Sequence, residues 1–397
     1  LTEATERRVP LKIRGKIDPY LFLSVIALVA FGIVMVFSAS TAFSIKKCNT
    51  PYYFLVKHLI FTSIGLILML IISRIDVMKL ADPKKAYLLL GISALLCLIV
   101  FVPGIGTVRN GAHRWINLRI STFEPSELLK CAFVIWMAAS LAKREPEKLR
   151  TLRFGFLPHV TVAGILAIVM VAQPDFGSAV LIFGICFAMM FLGGVRFLYI
   201  GGAGILASIG AAALIIAEPY RVKRVVSFLD PWKDPLGKSY QVVQSLIAFG
   251  SGGLWGRGLG QGRQKLFYLP EMHTDFILAN VGEELGFIWV LIILALFAIL
   301  VFRGFHQAIS ARNRFLSLLS SGIAVLLGAE IIINGGVVMS LLPTKGIALP
   351  FISYGGSSEL MSFIVVGLLM AAGRRADERT RAYLARMARA KAVGGRS

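Results

Sequence analysis

Residues 20–42 read YLFLSVIALVAFGIVMVFSASTA, twenty-three positions without one charged side chain. A helix needs about 20 mainly apolar residues to cross the hydrocarbon core of a bilayer, and this run supplies them. Comparable runs follow at 53–73, 85–104, 125–142, 157–172, 176–193, 197–217, 276–302, 317–342 and 357–373. The fifth and sixth are separated only by Gln173-Pro174-Asp175 and read alternatively as one broken hairpin. The expected fold is an all-α polytopic membrane protein of about ten transmembrane helices. It divides into an N-terminal arm (1–19), a transmembrane domain (20–373) with a large loop at 218–275 between spans seven and eight, and a basic tail (374–397).

Composition agrees with this reading. Of the 397 residues 57% are hydrophobic and 16% charged, whereas soluble domains carry about 25% charged residues. The net charge of +21 would suggest nucleic acid in a soluble chain; here it points to cytoplasmic loops rich in Lys and Arg. An even number of spans puts both termini on one side. Five Lys and Arg in 1–19, five in 143–156 and eight in 374–397 make that side cytoplasmic, and the tail reads as an arm against anionic headgroups. Nucleic acid is not an expected partner. Against the trend, the outer 218–275 loop alone holds eight Lys and Arg.

Ionisable residues in or beside spans are functional candidates, because hydrocarbon penalises them. Four groups stand out, all on the expected outer face. Tyr268-Leu269-Pro270-Glu271-Met272-His273-Thr274-Asp275-Phe276 leads into span eight, with Asp275 stacked above Ala279, Gly282 and Gly286. Asp275 is either a chemical carboxylate or an acid favoured by the helix dipole beside a glycine seam. Glu283 and Glu284 lie deeper and need partners or water. Glu127 and Lys130, three apart at the start of span four, can pair on one face as a structural ion pair. Arg114, beside Trp115, could grip a phosphate or simply flank an aromatic anchor. Lys345 precedes Ile352-Ser353-Tyr354-Gly355-Gly356-Ser357-Ser358, where glycines and serines suit an anion cradle or a turn with a serine cap.

The large loop contains Arg221, Lys223 and Arg224 and a Gly-rich stretch from 250 to 262. Its surplus of positive charge suits an anionic headgroup, a lipid-linked phosphate or pyrophosphate. Walker A, HExxH, Gly-x-Ser-x-Gly and clustered Cys/His ligands are all missing from the sequence. ATP-driven pumping and zinc hydrolysis are therefore poor readings.

The motifs Arg114-Trp115, Pro125-Ser126-Glu127…Lys130, His273-Thr274-Asp275-Phe276 and Ile352 to Ser358 resemble the SEDS family of bacterial wall polymerases (shape, elongation, division and sporulation) over about residues 18–373. Asp230-Pro231-Trp232, Gly256-Arg257-Gly258-Leu259-Gly260 and Tyr268-Leu269-Pro270-Glu271 resemble the division branch, FtsW, with the elongation branch, RodA, as the near alternative. The resemblance implies a peptidoglycan glycosyltransferase that polymerises lipid II during septal wall synthesis, forming a β-1,4 bond with inversion and releasing undecaprenyl pyrophosphate. Asp275 matches the family's essential aspartate and is the expected catalytic residue. Arg114, Lys345, Arg221, Lys223, Arg224 and His273 are expected to bind substrate. Glu127, Lys130, Glu283, Glu284, Ser357 and Ser358 are expected to shape the cavity. A divalent cation, Mg2+ or Mn2+, is a candidate cofactor. The implied partners are undecaprenyl-pyrophosphate-linked glycan, a class B penicillin-binding protein (FtsI-like) and other divisome proteins, at the septum of the bacterial cytoplasmic membrane. A lipid II flippase and a scaffold for the transpeptidase are the alternatives.

Overall fold

The computed structural model describes residues 15–109, 112–118, 122–217, 222, 228, 230–237 and 239–394. Helices α1 (Pro19–Cys48), α2 (Tyr53–Ile72), α3 (Pro83–Ile99), α4 (Pro125–Lys143), α5 (Leu157–Ala172), α6 (Phe176–Leu192) and α7 (Phe197–Ile216) precede the large loop. Helices α8 (Tyr240–Gly252) and α9 (Ile277–Glu284) lie within the segment leading to α10 (Phe287–Ser310), α11 (Arg314–Val338) and α12 (Gly356–Gly394). Among the described residues seven helices are long and apolar enough to cross a membrane: α1, α2, α4, α5 with the turn before it, α10, α11 and the first part of α12. Helices α3, α6 and α7, of 17, 17 and 20 residues, complete the expected ten. The 173–175 segment is a turn between two separate helices that pack on each other.

Side-chain caps and prolines start these helices where the sequence turns apolar. Asp18 accepts from the backbone N–H groups of Tyr20 and Leu21, with Pro19 in the first turn. Asn313 accepts from Phe315 and Leu316, and Asp175 from Ser178. Each oxygen satisfies donors that the first turn leaves unpaired. At this end of the bundle Asp18 also pairs with Arg303, 2.6 Å away. Close by, Lys16 N donates to Asp377 and Gly15 N to Glu378, on the extension of α12. The segment before α1 and the 377–378 turn of α12 therefore meet at the same end of the bundle.

Helix α4 is the axis. Phe133, Trp136, Met137 and Leu141 are all but fully buried, between α3, α6, α11 and α12. Helix α1 packs on α2 and α10, α5 on α6, and α2 on α12. By contrast α7 keeps Leu198, Ile205 and Leu206 exposed, as a helix facing lipid does.

Two features differ from expectation. The segment between α3 and α4 holds a small antiparallel sheet, β1 (Gly106–Arg109), β2 (Ala112–Asn117) and β3 (Thr122–Phe123). The expected span at 276–302 is broken: Gly286, at φ 87°, separates α9 from α10. Glycine is required there, because a Cβ would collide with the backbone of 254–256 and the φ is one that L-residues avoid. Helix α10 spans alone, so Asp275 to Glu284 belong to a cap on the bundle, packed against α8.

The cap explains Glu283 and Glu284, both buried. Glu283 accepts from Arg263 N at 2.7 Å and from Gln264 N. Glu284 accepts from Gly260 N at 2.9 Å and Ser38 Oγ, and pairs with Lys265 at 2.7 Å. Arg257 N and Gly258 N cap the last carbonyls of α9. The Gly-rich stretch is thus wound around two carboxylates, and Lys265 and Ser38 tie it to α1.

Candidate active site

At the end of the bundle opposite Lys16 and Asp377, three loops converge: the β-sheet hairpin, the turn before α9, and residues 339–355 between α11 and α12. Asp275 lies in the second of these. Burial, and secondarily the charge of Glu271, raise its carboxyl to about 6, while Arg114 opposes them. Gly346 sits directly alongside: a Cβ there would be 2.5 Å from Asp275 Oδ2. Tyr354 N donates to His273 O at 2.9 Å, a second tie between the two loops.

Arg114, on β2, reaches the turn before α6. Its Nη2 donates to Pro174 O, its Nε to Gln173 O, and its Nη1 lies 3.8 Å from Asp175 Oδ1. Lys345 arrives at the same turn from the other loop, and a Cβ at Gly177 would fall on its side chain. Its Nζ is buried and, among the described residues, has no hydrogen-bond partner. Burial lowers its pKa to about 8, against the opposing pull of Asp175. Two cations therefore reach the first turn of α6, the end already capped by the Asp175 carboxylate.

Beneath them lies an ion-pair cluster. Lys130 Nζ is 2.8 Å from Glu127 Oε2 and 2.5 Å from Glu330 Oε1, so the expected pair on α4 is a triad with α11. Glu124, just before α4, is raised to about 7 by burial and then by Glu127 and Asp175. A small cavity follows, lined by Glu127, Glu330, Ser353, Ser358, Glu359 and Ser362. Glu359 accepts from Thr62 and lies 3.0 Å from His58 Nδ1, at ion-pair distance without hydrogen-bond geometry. Ser357 Oγ accepts from Glu124 N, and Ser358 Oγ closes its own turn onto Gly355 O.

The structure thus brings together Asp275, Arg114, Lys345, Glu127, Lys130, Ser357 and Ser358. Glu283 and Glu284 stand apart, inside the cap. His273 packs its ring among Phe43, Phe54 and Tyr354, with centroids 5.1–5.8 Å apart, and burial lowers its pKa. Arg221, Lys223 and Arg224 lie outside the described residues. Glu124, Asp175, Glu330 and Glu359 were not expected here. Among the described residues no three His, Cys, Asp or Glu side chains converge as metal ligands, so these side chains alone do not build a cation site.

The family of cell cycle proteins that groups FtsW, RodA and SpoVE matches residues 19–378. The chain belongs to this family. Among FtsW/RodA/SpoVE relatives, a probable peptidoglycan glycosyltransferase FtsW of Geobacter sp. (strain M18) is 45% identical over 356 residues, covering 89% of this chain and 95% of that one. Stage V sporulation protein E of Bacillus subtilis (strain 168) is 39% identical, covering 90% and 98%. A chain from a structure described as the coordination of polymerization and crosslinking by a peptidoglycan synthase complex superposes with a TM-score of 0.73 at 27% identity, covering 91% and 98%. The rod shape determining protein RodA of Thermus thermophilus gives 0.65 at 26% identity, covering 91% and 97%.

Proposed function

We propose that this FtsW/RodA/SpoVE family protein is a peptidoglycan glycosyltransferase that polymerises lipid II in septal wall synthesis. The observation that carries the reading is the placement of Asp275, a carboxylate near pKa 6 that feels the charge of Arg114 and lies against Gly346, next to Lys345, at one end of the bundle. The growing strand on undecaprenyl pyrophosphate is the donor, and the 4-hydroxyl of the incoming lipid II is the acceptor. As the new C1–O bond forms, the hydroxyl proton passes to Asp275 and the C1–O bond to pyrophosphate breaks, leaving its electron pair on the phosphate. Attack opposite the leaving group inverts an α-linked donor to a β-1,4 product. A positioned base of this kind is worth about 10²–10⁴ in rate. Arg114 and Lys345 meet the charge that develops on the departing phosphate. His273 and its three aromatic neighbours wall the site, and Arg221, Lys223 and Arg224 draw the headgroup in from the large loop. A Mg2+ or Mn2+ ion would arrive with the pyrophosphate, because Mg2+ is usually held by one or two carboxylates and substrate phosphates.

The reading places the protein in the cytoplasmic membrane with both termini in the cytoplasm, at the division septum. Its partner there is a class B penicillin-binding protein of the FtsI type, among other divisome proteins. The relation to a chain of a peptidoglycan synthase complex supports such a pairing. A flippase needs a site alternately open to both faces. Asp275, Arg114 and Lys345, however, gather at one end of the bundle, which supports polymerisation. Proteoliposomes holding the chain, its partner and labelled lipid II test the choice. A glycan ladder is expected; translocation without a ladder would replace the polymerase with the flippase.

A further inference from the structure

Asn334 lies four residues after Glu330 on α11, so the two side chains leave the same face of the helix. Glu330 goes to Lys130, while Asn334 goes to the loops above. Asn334 is 1% exposed. Its Nδ2 donates to the backbone carbonyl of Asp275 at 2.9 Å and to that of Ile347 at 2.7 Å. Both amide hydrogens are thereby used. The amide has one workable orientation, since the flipped form would set Oδ1 against two carbonyl oxygens. The first carbonyl belongs to the proposed base. The second follows Lys345, whose side chain reaches the first turn of α6, and Gly346, which lies alongside Asp275. One side chain, fixed in a spanning helix, thus sets the spacing between two loops that carry the two halves of the reaction.

We propose that Asn334 is a positioning residue for glycosyl transfer, holding the Asp275 carboxylate in register with the Lys345 loop. This rests on the reading of Asp275 as the base. Asn334 acts through the backbone of both loops, so its loss moves the base relative to the bound hydroxyl. A displacement of about 1 Å at a reacting centre costs about 100-fold in rate. Binding of the long lipid substrate, spread over many contacts, changes little.

The test uses the full-length chain with its partner and lipid II, measuring kcat, KM and the pH profile. Asn334→Leu keeps similar bulk and removes both donors. The expected result is a kcat loss of about 10–100-fold, KM within about twofold, and an acid limb at the wild-type position because Asp275 stays buried. Monodispersity and the thermal midpoint are read on the same preparations. Asn334→Ala, which leaves room for water to hydrate both carbonyls, carries the test if the leucine variant does not accumulate. Wild-type kcat in the folded variant overturns the proposal, and so does a kcat loss that only tracks a loss of folded protein. Asp275→Ala run in parallel separates the two readings. If it is silent while the Asn334 variants are fully active, only the positioning role falls; if it is active, the base falls with it.

Discussion

Lys130 Nζ lies 2.5 Å from Glu330 Oε1, joining α4 to α11 across 200 residues of sequence. Lys130 is 2% exposed and has Glu127 as a second partner. Breaking a buried pair from one side leaves uncompensated charge, at a cost of about 3–5 kcal/mol. Lys130→Met strands both carboxylates and should lower the thermal midpoint strongly in detergent. Glu330→Gln leaves the Glu127 partner in place and should lower it less. Equal midpoints for the two variants would contradict the triad.

The pH dependence of kcat/KM follows from two groups in the free enzyme. Asp275 must be ionised to accept a proton, and its pKa is raised to about 6, so activity is lost as pH falls through about 6. Lys345 must be protonated to meet phosphate, and its pKa is lowered to about 8, so activity is lost as pH rises through about 8. The expected profile is a bell. Lys345→Arg keeps its charge at any accessible pH and should move only the alkaline limb upward.

Gly346→Ala should slow catalysis without unfolding the protein. The added methyl would lie 2.5 Å from the Asp275 carboxylate, its nearest neighbour, and a shift of about 1 Å costs about 100-fold. A kcat within twofold of wild type in a purified, monodisperse Gly346→Ala preparation would contradict the close contact.

The cap offers a structural check independent of activity. Glu283 and Glu284 hold the 257–265 segment through charged acceptors, bonds worth about 1.5–3 kcal/mol each. Their removal in Glu283→Ala or Glu284→Ala should speed tryptic cleavage after Arg257, Arg263 or Lys265 by about tenfold or more. Fragment mapping by mass spectrometry reads this directly.

The spans were legible because each is a long, mainly apolar run, Asp275 and Arg114 because their motifs resemble a known family, and Lys345 because it adds a positive charge to the expected outer face. The sheet was not, since strands of two to six residues interrupted by Gly, Asn and Ser carry too little periodicity to register. The break at Gly286 hid inside Ile277 to Leu294, whose letters read as continuous helix; only the contact with the 254–256 backbone makes a break necessary. Glu330 and Asn334 lie inside an apolar span, and they carry a signal of their own: one acid and one amide, four apart, in a stretch (317–338) otherwise built of Leu, Ile, Val, Gly, Ala and Ser. In hydrocarbon such a pair needs partners, and here the partners are Lys130 and the Asp275 loop.

The rate of lipid II polymerisation by Asp275→Ala, measured against wild type as a glycan ladder at pH 7 with the partner present, bears most directly on the proposed chemistry. Loss of the general base should reduce the rate by about 10²–10⁴ while the protein remains folded and still binds lipid II. A ladder formed at the wild-type rate would contradict Asp275 as the base.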